Sequence, residues 1–352
     1  MFLRNAWYVA AWEREIGSDP YGTKILDELI AIYRRTDGTY AALEDACPHR
    51  KLPMSMGRVQ GDNLECGYHG LTFDCAGLCV KAPTNQGVIP DVSLRSYPIE
   101  ARYGLLWIWM GDPSLADTDT IFKVEHWGDP AWGTTAGDDM VMACNYLHIT
   151  DNLLDPSHVA WVHPTSFAGQ GSDETPMATT IREDGSAEDG VTVWRWMMDT
   201  EPAPFYAPYL PFEGNTDRKQ QYEVRYPSLA LIKAFFCPAG TGGEGQPLHP
   251  DTFVMDSYNF LTPVDETHTR YFWFQQRNVF PNDKDVDERF AASVLFAFTE
   301  DKRILGAVQA GLDNMTTPNI NLRSDSGGVR FRRRLNQMIA AEEALEGQPA
   351  PH

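Results

Sequence analysis

Two short segments of the chain hold residue types that bind metals. Cys47-Pro-His49 and Cys66-Gly-Tyr-His69 each offer one thiol and one imidazole, with residues 50 to 65 between them. Structural zinc sites pair like with like, as C-x(2–4)-C and H-x(3–5)-H. Two cysteines and two histidines could still hold a zinc, and a zinc-stabilised binding protein would follow from that. The mixed pairs suit a Rieske [2Fe-2S] centre better: one iron takes both cysteines, the other both histidines, and each segment reaches both irons. Imidazole in place of thiolate raises the potential to about −150 mV or higher, so the centre can accept electrons from a ferredoxin-type donor.

A second constellation lies in Asn152-Leu-Leu-Asp155-Pro-Ser-His158-Val-Ala-Trp-Val-His163-Pro. The segment is otherwise apolar, and a buried ionisable side chain there costs several kcal/mol unless it is paired or metal-bound. His158 and His163 are five apart, so on an ideal helix they diverge by roughly 140°. A shared metal therefore requires a bend, a bulge or a helix end between them, and Pro156 and Pro164 supply the irregularity. Two histidines and one carboxylate with open positions form the facial triad of non-heme iron(II) oxygenases. The carboxylate need not be local. Hydrogen-bonded interior histidines would look the same in isolation, but a one-electron relay elsewhere in the chain needs somewhere to deliver electrons.

The elements that would hold these residues read as two domains. "ILDELIAIYRRTDGTYAALED" is a hairpin turning at Thr36-Asp37-Gly38, and "LTFDCAGLCV" and "LLWIWMGDP" are further short strands. They predict a small antiparallel β domain over residues 1–115, ended by the polar stretch "GDPSLADTDTI". Residues 116–352 mix strands ("TVWRWMMD", "QQYEVRYPSLALIKAFF", "TRYFWFQQRNVF") with helices over 145–162, from near Asp285, and from about Gly328 to Leu345. The fold class is α+β. Cys75 and Cys79 read as small buried residues about a turn at Gly77, and Cys144 and Cys237 as buried.

Composition bounds the partners. The formal net charge of −20 argues against nucleic acid and anionic membranes. No run approaches 18 apolar residues, so no membrane span is expected. The N-terminus has no secretory cleavage pattern and six cysteines are too few for a disulfide scaffold, so a cytoplasmic protein is expected.

Taken in order, Cys47-Pro-His49-Arg50, Cys66-Gly-Tyr-His69-Gly70 and Asn152-x-x-Asp155-x-x-His158-x(4)-His163 resemble the Rieske non-heme iron oxygenases. "RNAWYVAAW", "WIWMGDP", "YFWFQQRN" and "DSGGVRFRRRL" extend the likeness over essentially the whole chain. They narrow it to oxygenase (alpha) components of the vanillate O-demethylase, toluenesulfonate methyl-monooxygenase and dicamba O-demethylase type. The resemblance implies an all-β Rieske domain followed by a helix-grip (START-like) catalytic domain with an antiparallel sheet. It implies that Cys47, His49, Cys66 and His69 hold the [2Fe-2S] cluster, and that His158 and His163 bind a mononuclear Fe(II). A late aspartate completes that iron site; in "FAFTEDKRIL" it is Asp301, with Glu300 the fallback. Asp155 would bridge an iron-bound histidine to a Rieske histidine of a neighbouring subunit, in a head-to-tail homotrimer. Asn152 would sit near the iron, or equally serve as a helix-capping or packing residue.

The same resemblance implies a terminal monooxygenase that uses O2 and takes electrons from NAD(P)H through a flavin and iron-sulfur reductase. Its reaction would be O-demethylation or methyl hydroxylation of an aromatic acid, in a pocket beneath "VTVWRWMMD" and "LIKAFFCPAG". Trp194, Trp196, Lys233 and Arg277 are candidate contacts, although core packing and surface ion pairs explain them equally. A ring dioxygenase forming a cis-diol would use the same metals. A Rieske electron-transfer protein would leave everything past residue 113 idle.

Overall fold

The computed structural model describes residues 2–346 apart from 87, 173, 187 and 315. The chain forms two compact units: residues 1–123 with 262–266 and 339–352, and residues 124–261 with 267–338. Among the described residues no helix is long and apolar enough to cross a membrane.

Residues 2–123 of the first unit hold only β-strands and short 3-10 turns, and residues 339–346 add the end of the helix Ser326–Glu346. Glu28–Arg34 and Tyr40–Glu44 pair antiparallel, and Gly38 at the turn has φ 88°, which glycine adopts without steric cost. Trp7–Trp12 pairs with Leu105–Trp109, and both strands are buried along their whole length. A separate four-stranded sheet runs Arg58–Gln60, Asn63–Glu65, Thr72–Phe73, Cys79–Lys81. One Cys/His segment follows Tyr40–Glu44, and the other joins Asn63–Glu65 to Thr72–Phe73. Their cysteines lie in a core with Tyr33, Leu43, Met54, Leu64, Leu71 and Phe73. The pair about Gly77 departs from expectation: Cys75 is exposed and Cys79 half-buried, while Cys144 and Cys237 are buried. A turn this short, with Gly77 at φ 85°, points side chains outward.

The second unit is built on an eight-stranded sheet. Its order is Gly133–Thr134, His268–Arg277, Phe253–Asp265, Leu229–Pro238, Thr216–Arg225, Gly190–Thr200, Ala178–Arg182, and Asp138–Met142 also pairs with His268–Arg277. Among the described residues it is accompanied by helices α1 (Tyr146–Leu153), α2 (Val159–Val162), α3 (Lys284–Asp313) and the part of α4 (Ser326–Glu346) before residue 339. This is the α+β architecture expected, an all-β domain followed by a sheet with few helices. The strand Phe253–Asp265 escapes the sequence reading because Asp256, Ser257, Asn259 and Thr262 are buried polar residues that erase its alternation.

Helix α3 starts at Asp283, whose carboxylate accepts a hydrogen bond from the Val286 N–H, and carries Asp285 and Asp287 in its first turn. Its buried stripe is Val286, Phe290, Val294, Ala297, Phe298, Asp301 and Leu305. Phe290 meets the Phe205 ring, and Phe298 stacks on Tyr271 and meets Trp273 edge-on. One carboxylate, that of Asp301, thus occupies a core position on a helix packed against the sheet.

Candidate metal centres

The two segments of the first unit fold as copies of one turn. Cys47 N–H donates to the Leu52 carbonyl and Lys51 N–H to the Cys47 carbonyl; Cys66 N–H donates to Leu71 and Gly70 N–H to Cys66. Lys51 and Gly70, the fifth residue of each turn, have φ 59° and 73°. The second segment packs closely on the 3-10 turn Met54–Met56: a Cβ on Gly67 would lie 2.7 Å from the Met56 carbonyl oxygen. Cys47 and Cys66 are buried, and burial followed by the adjacent Cys66 thiol pushes the Cys47 thiol up. The His49 and His69 rings stand 4.5 Å apart and border an open cleft with Pro48, Leu71 and Ala82. His69 Nδ1 is buried without a hydrogen-bond partner. Two paired thiols beneath two paired imidazoles, one with an orphaned nitrogen, fit a cluster that takes both sulfurs on one iron and both nitrogens on the other.

In the second unit the segment after α1 is broken, as the five-residue spacing requires. Helix α1 ends at Leu153, and Asp155 caps a 3-10 turn over Pro156–His158. Helix α2 then runs only from Val159 to Val162, and His163 leaves it with φ −117°, ψ 44°. His158 Nε2 and His163 Nε2 lie 3.8 and 3.2 Å from Asp301 Oδ1. Donor atoms of His158, His163 and Asp301 all fall within 4.8 Å of one another. Two imidazoles and a carboxylate sunk into an apolar core fit a facial-triad iron.

Other groups aim these donors. His158 Nδ1 sits 2.7 Å from the Asp155 backbone carbonyl, an acceptor that places the proton on Nδ1 and frees Nε2. His163 Nδ1 sits 2.9 Å from Glu300 Oε2, with the same consequence. Asn152 Nδ2 donates to Asp301 Oδ1 at 3.3 Å. Burial lowers the His158 pKa. Burial works the same way on His163, but the hydrogen bonds and charges of Asp301 and Glu300 outweigh it and raise that pKa.

A cavity opens beside the triad, walled by Leu153, Val159, Phe167, Tyr206, Met255, Val294 and Phe298. Its floor is one row across the sheet. Tyr222 faces Ile232 and Ile232 faces Ser257 in register, and Gln275 Nε2 donates to Ser257 Oγ at 3.1 Å.

Residues 142–341 match the vanillate O-demethylase oxygenase C-terminal domain, and residues 6–98 match the Rieske [2Fe-2S] domain. The chain belongs to the vanillate O-demethylase oxygenase family. It is 35% identical over 353 residues to a vanillate O-demethylase oxygenase subunit of a Pseudomonas species, covering 97% of this chain and 96% of that one. It is 34% identical over 345 residues to the toluene-4-sulfonate monooxygenase system iron-sulfur subunit of Comamonas testosteroni, covering 97% and 98%. The crystal structure of dicamba monooxygenase bound to 3,6-dichlorosalicylic acid superposes with a TM-score of 0.88, 30% identity and 99% coverage of both chains. As a member of this family the protein is an oxidoreductase, the oxygenase component of a Rieske monooxygenase system with a separate reductase. Its cofactors are a Rieske [2Fe-2S] cluster and a mononuclear non-heme iron.

Within this family member, Glu300 and Asp301 divide the work of adjacent helical positions: Asp301 faces the Nε2 atoms of both histidines, Glu300 the Nδ1 of His163. Asn152 lies beside Asp301, and its side chain caps no helix. The Asp155 carboxylate accepts from Ser157 N–H at 3.1 Å. None of Trp194, Trp196, Lys233 and Arg277 lines the cavity. Lys233 pairs with Glu125 and Asp256, Arg277 with Asp287, and Trp194 carries the Lys219 ammonium over its ring. Alternation explains this: Lys233 follows the inward Ile232 and so points to the other face of the sheet. Likewise "VTVWRWMMD" contributes no lining residue, and "LIKAFFCPAG" contributes only Ile232. Tyr222, Ser257 and Gln275 went unnoticed, because the row they form with Ile232 depends on the register of four strands.

Proposed function

We propose that this chain is the terminal oxygenase that removes an O-methyl group from, or hydroxylates a methyl group on, an aromatic acid. The observation that supports it most directly is the convergence of His158, His163 and Asp301 at the end of an apolar cavity with a few polar floor groups. A flavin and iron-sulfur reductase would draw electrons from NAD(P)H and pass them to the cluster held by Cys47, Cys66, His49 and His69. The reading places the Rieske domain over residues 1–115, the iron domain over 116–352, and the protein in the cytoplasm.

The cluster supplies one-electron transfer and the iron supplies O2 activation when bound. The chain's own residues do the rest. Glu300 and the Asp155 carbonyl hold the two imidazoles with Nε2 toward the metal position, and Asn152 fixes the Asp301 carboxylate. Leu153, Val159, Val294 and Phe298 exclude water from the space where a substrate methyl would lie. Asp155 would carry electrons to the iron from the Rieske histidines of a neighbour in a head-to-tail trimer. Two exposed aromatics support that assembly: Tyr68, beside His69, is 60% exposed, and Trp161, between His158 and His163, is 79% exposed.

The test is a single turnover of chemically reduced protein with O2 and a panel of methoxybenzoates, toluates and arylsulfonates. Formaldehyde from a methoxyarene or a benzylic alcohol from a methylarene is expected. A cis-diol would overturn the monooxygenase reading in favour of a ring dioxygenase. Failure to bind a mononuclear iron at all would leave only an electron-transfer protein.

A further inference from the structure

Among the strands of the second unit, Arg218 stands apart. It is 3% exposed, on the same face of its strand as Tyr222, four residues before it. Its guanidinium lies 5.3 Å from the Tyr206 ring centroid and 5.0 Å from that of Phe236. Nη2 donates to the Phe167 carbonyl at 3.1 Å, and Nη1 would sit 3.0 Å from a Cβ on Gly169. Nε and Nη1 are buried without a hydrogen-bond partner. Among the described residues no carboxylate lies within ion-pair distance of it, whereas the equally buried Arg277 pairs with Asp287 at 2.7 Å. A buried cation left without a counter-charge is costly, and removing it from water is offset only by an anion or a full set of acceptors.

Tyr206 and Phe167, the groups Arg218 touches, are themselves walls of the active-site cavity. The arginine therefore stands directly behind that wall. Arg195 reinforces the positive field: its Nε donates to Gln220 at 2.8 Å, and Gln220 lies on the same strand face between Arg218 and Tyr222. The chain as a whole carries −20, so an anionic substrate meets long-range repulsion and needs a local cation to be held.

We infer that Arg218 is the anion subsite of the active-site cavity, receiving the carboxylate or sulfonate of the substrate on Nε and Nη1. The Tyr206 and Phe167 side chains give way to admit it. The inference rests on the aromatic-acid reading above and adds which residue reads the acid. Planar, bidentate donation suits both oxyanions, which is the geometry arginine offers and lysine does not.

The experiment measures binding of 4-methoxybenzoate, 4-toluenesulfonate and the neutral 4-methoxybenzamide to the anaerobic holoenzyme, wild type and the variants Arg218→Gln and Arg218→Lys. Wild type should bind at least one of the two anions about tenfold or more tighter than the amide, and which one it prefers separates carboxylate from sulfonate recognition. R218Q should lose that preference while leaving amide affinity within about twofold, and R218K should keep part of it. Iron content and the Rieske EPR signal of each variant report whether the fold and both centres survive. Equal wild-type affinity for the anions and the amide overturns the inference without recourse to any variant, as does an R218Q protein with both centres intact that still prefers the anion. The oxygenase reading fails separately: anion binding that depends on Arg218, with no product from the bound compounds in the single turnover, would leave the subsite and remove the proposed reaction.

Discussion

Glu300 shows how a neighbour of a proposed iron ligand can matter as much as the ligand itself. Its carboxylate holds His163 Nδ1, and such partners set both the orientation and the basicity of a metal-bound imidazole. Glu300→Ala should lower mononuclear Fe(II) affinity by about 10- to 100-fold while the Rieske absorbance stays unchanged. The same contact has a pH consequence. A histidine must lose its proton to bind iron, so Fe(II) occupancy falls as pH drops through the pKa of His163. Asp301 and Glu300 together overcome burial and raise that pKa. Glu300→Gln removes one of the raising charges, so the acid limit of Fe(II) binding should move to lower pH even as affinity at neutral pH declines. Anaerobic Fe(II) titrations at several pH values check this; an acid limit that stays put or moves upward would show that Glu300 does not set the charge of His163.

At the scale of elements, spacing in the chain anticipates geometry where local rules govern it. The five-residue gap between His158 and His163 demands a broken helix, and the 3-10 turn at Pro156–His158 with an α2 of only four residues is that break. Asp301 was equally legible in principle, since it falls four residues before Leu305 and seven after Val294 in the apolar stripe of α3. The sequence reading reached it only through resemblance. The cavity floor was not legible, because Tyr222, Ile232, Ser257 and Gln275 come together through cross-strand register, which no local pattern in a single chain specifies. The turns that carry Cys47 and Cys66 make a prediction at this scale. Gly67 packs so closely on Met56 that Gly67→Ala must push the Cys66 turn away from the 3-10 turn Met54–Met56. Displacement of that kind costs about 1–3 kcal/mol. The variant should lose most of its [2Fe-2S] absorbance while binding mononuclear iron normally, and full cluster content in G67A would mean that the close approach is not needed to seat the cluster.

For the whole molecule the question is how electrons taken in at the proposed cluster histidines would reach an iron held in the second unit. His49 and His69 border an open cleft, and the aromatic beside them, Tyr68, is left uncovered by the chain itself. The segment carrying His158 and His163 likewise presents Trp161 to the outside. Large exposed aromatics beside both centres are what the proposed head-to-tail assembly would bury, with Asp155 proposed to act between subunits. Its carboxylate makes only a local cap with Ser157, while its backbone carbonyl does the orienting of His158. Asp155→Asn is therefore the informative change: the amide oxygen can still accept from Ser157, and the carbonyl that positions His158 is untouched. Iron and cluster contents should match wild type, and dithionite should reduce the cluster as before. Product formed in a single turnover, which requires an electron to pass from cluster to iron, should fall by about two orders of magnitude or more, since the loss of a positioned charge-relay group compares with removing one catalytic partner. Sedimentation of the same samples separates two causes of such a loss. If the proposed trimer is present and fully loaded yet fails to turn over, the defect lies in electron passage through Asp155; a dissociated protein places it in assembly, and a D155N protein assembled like wild type with wild-type turnover would remove Asp155 from the path altogether.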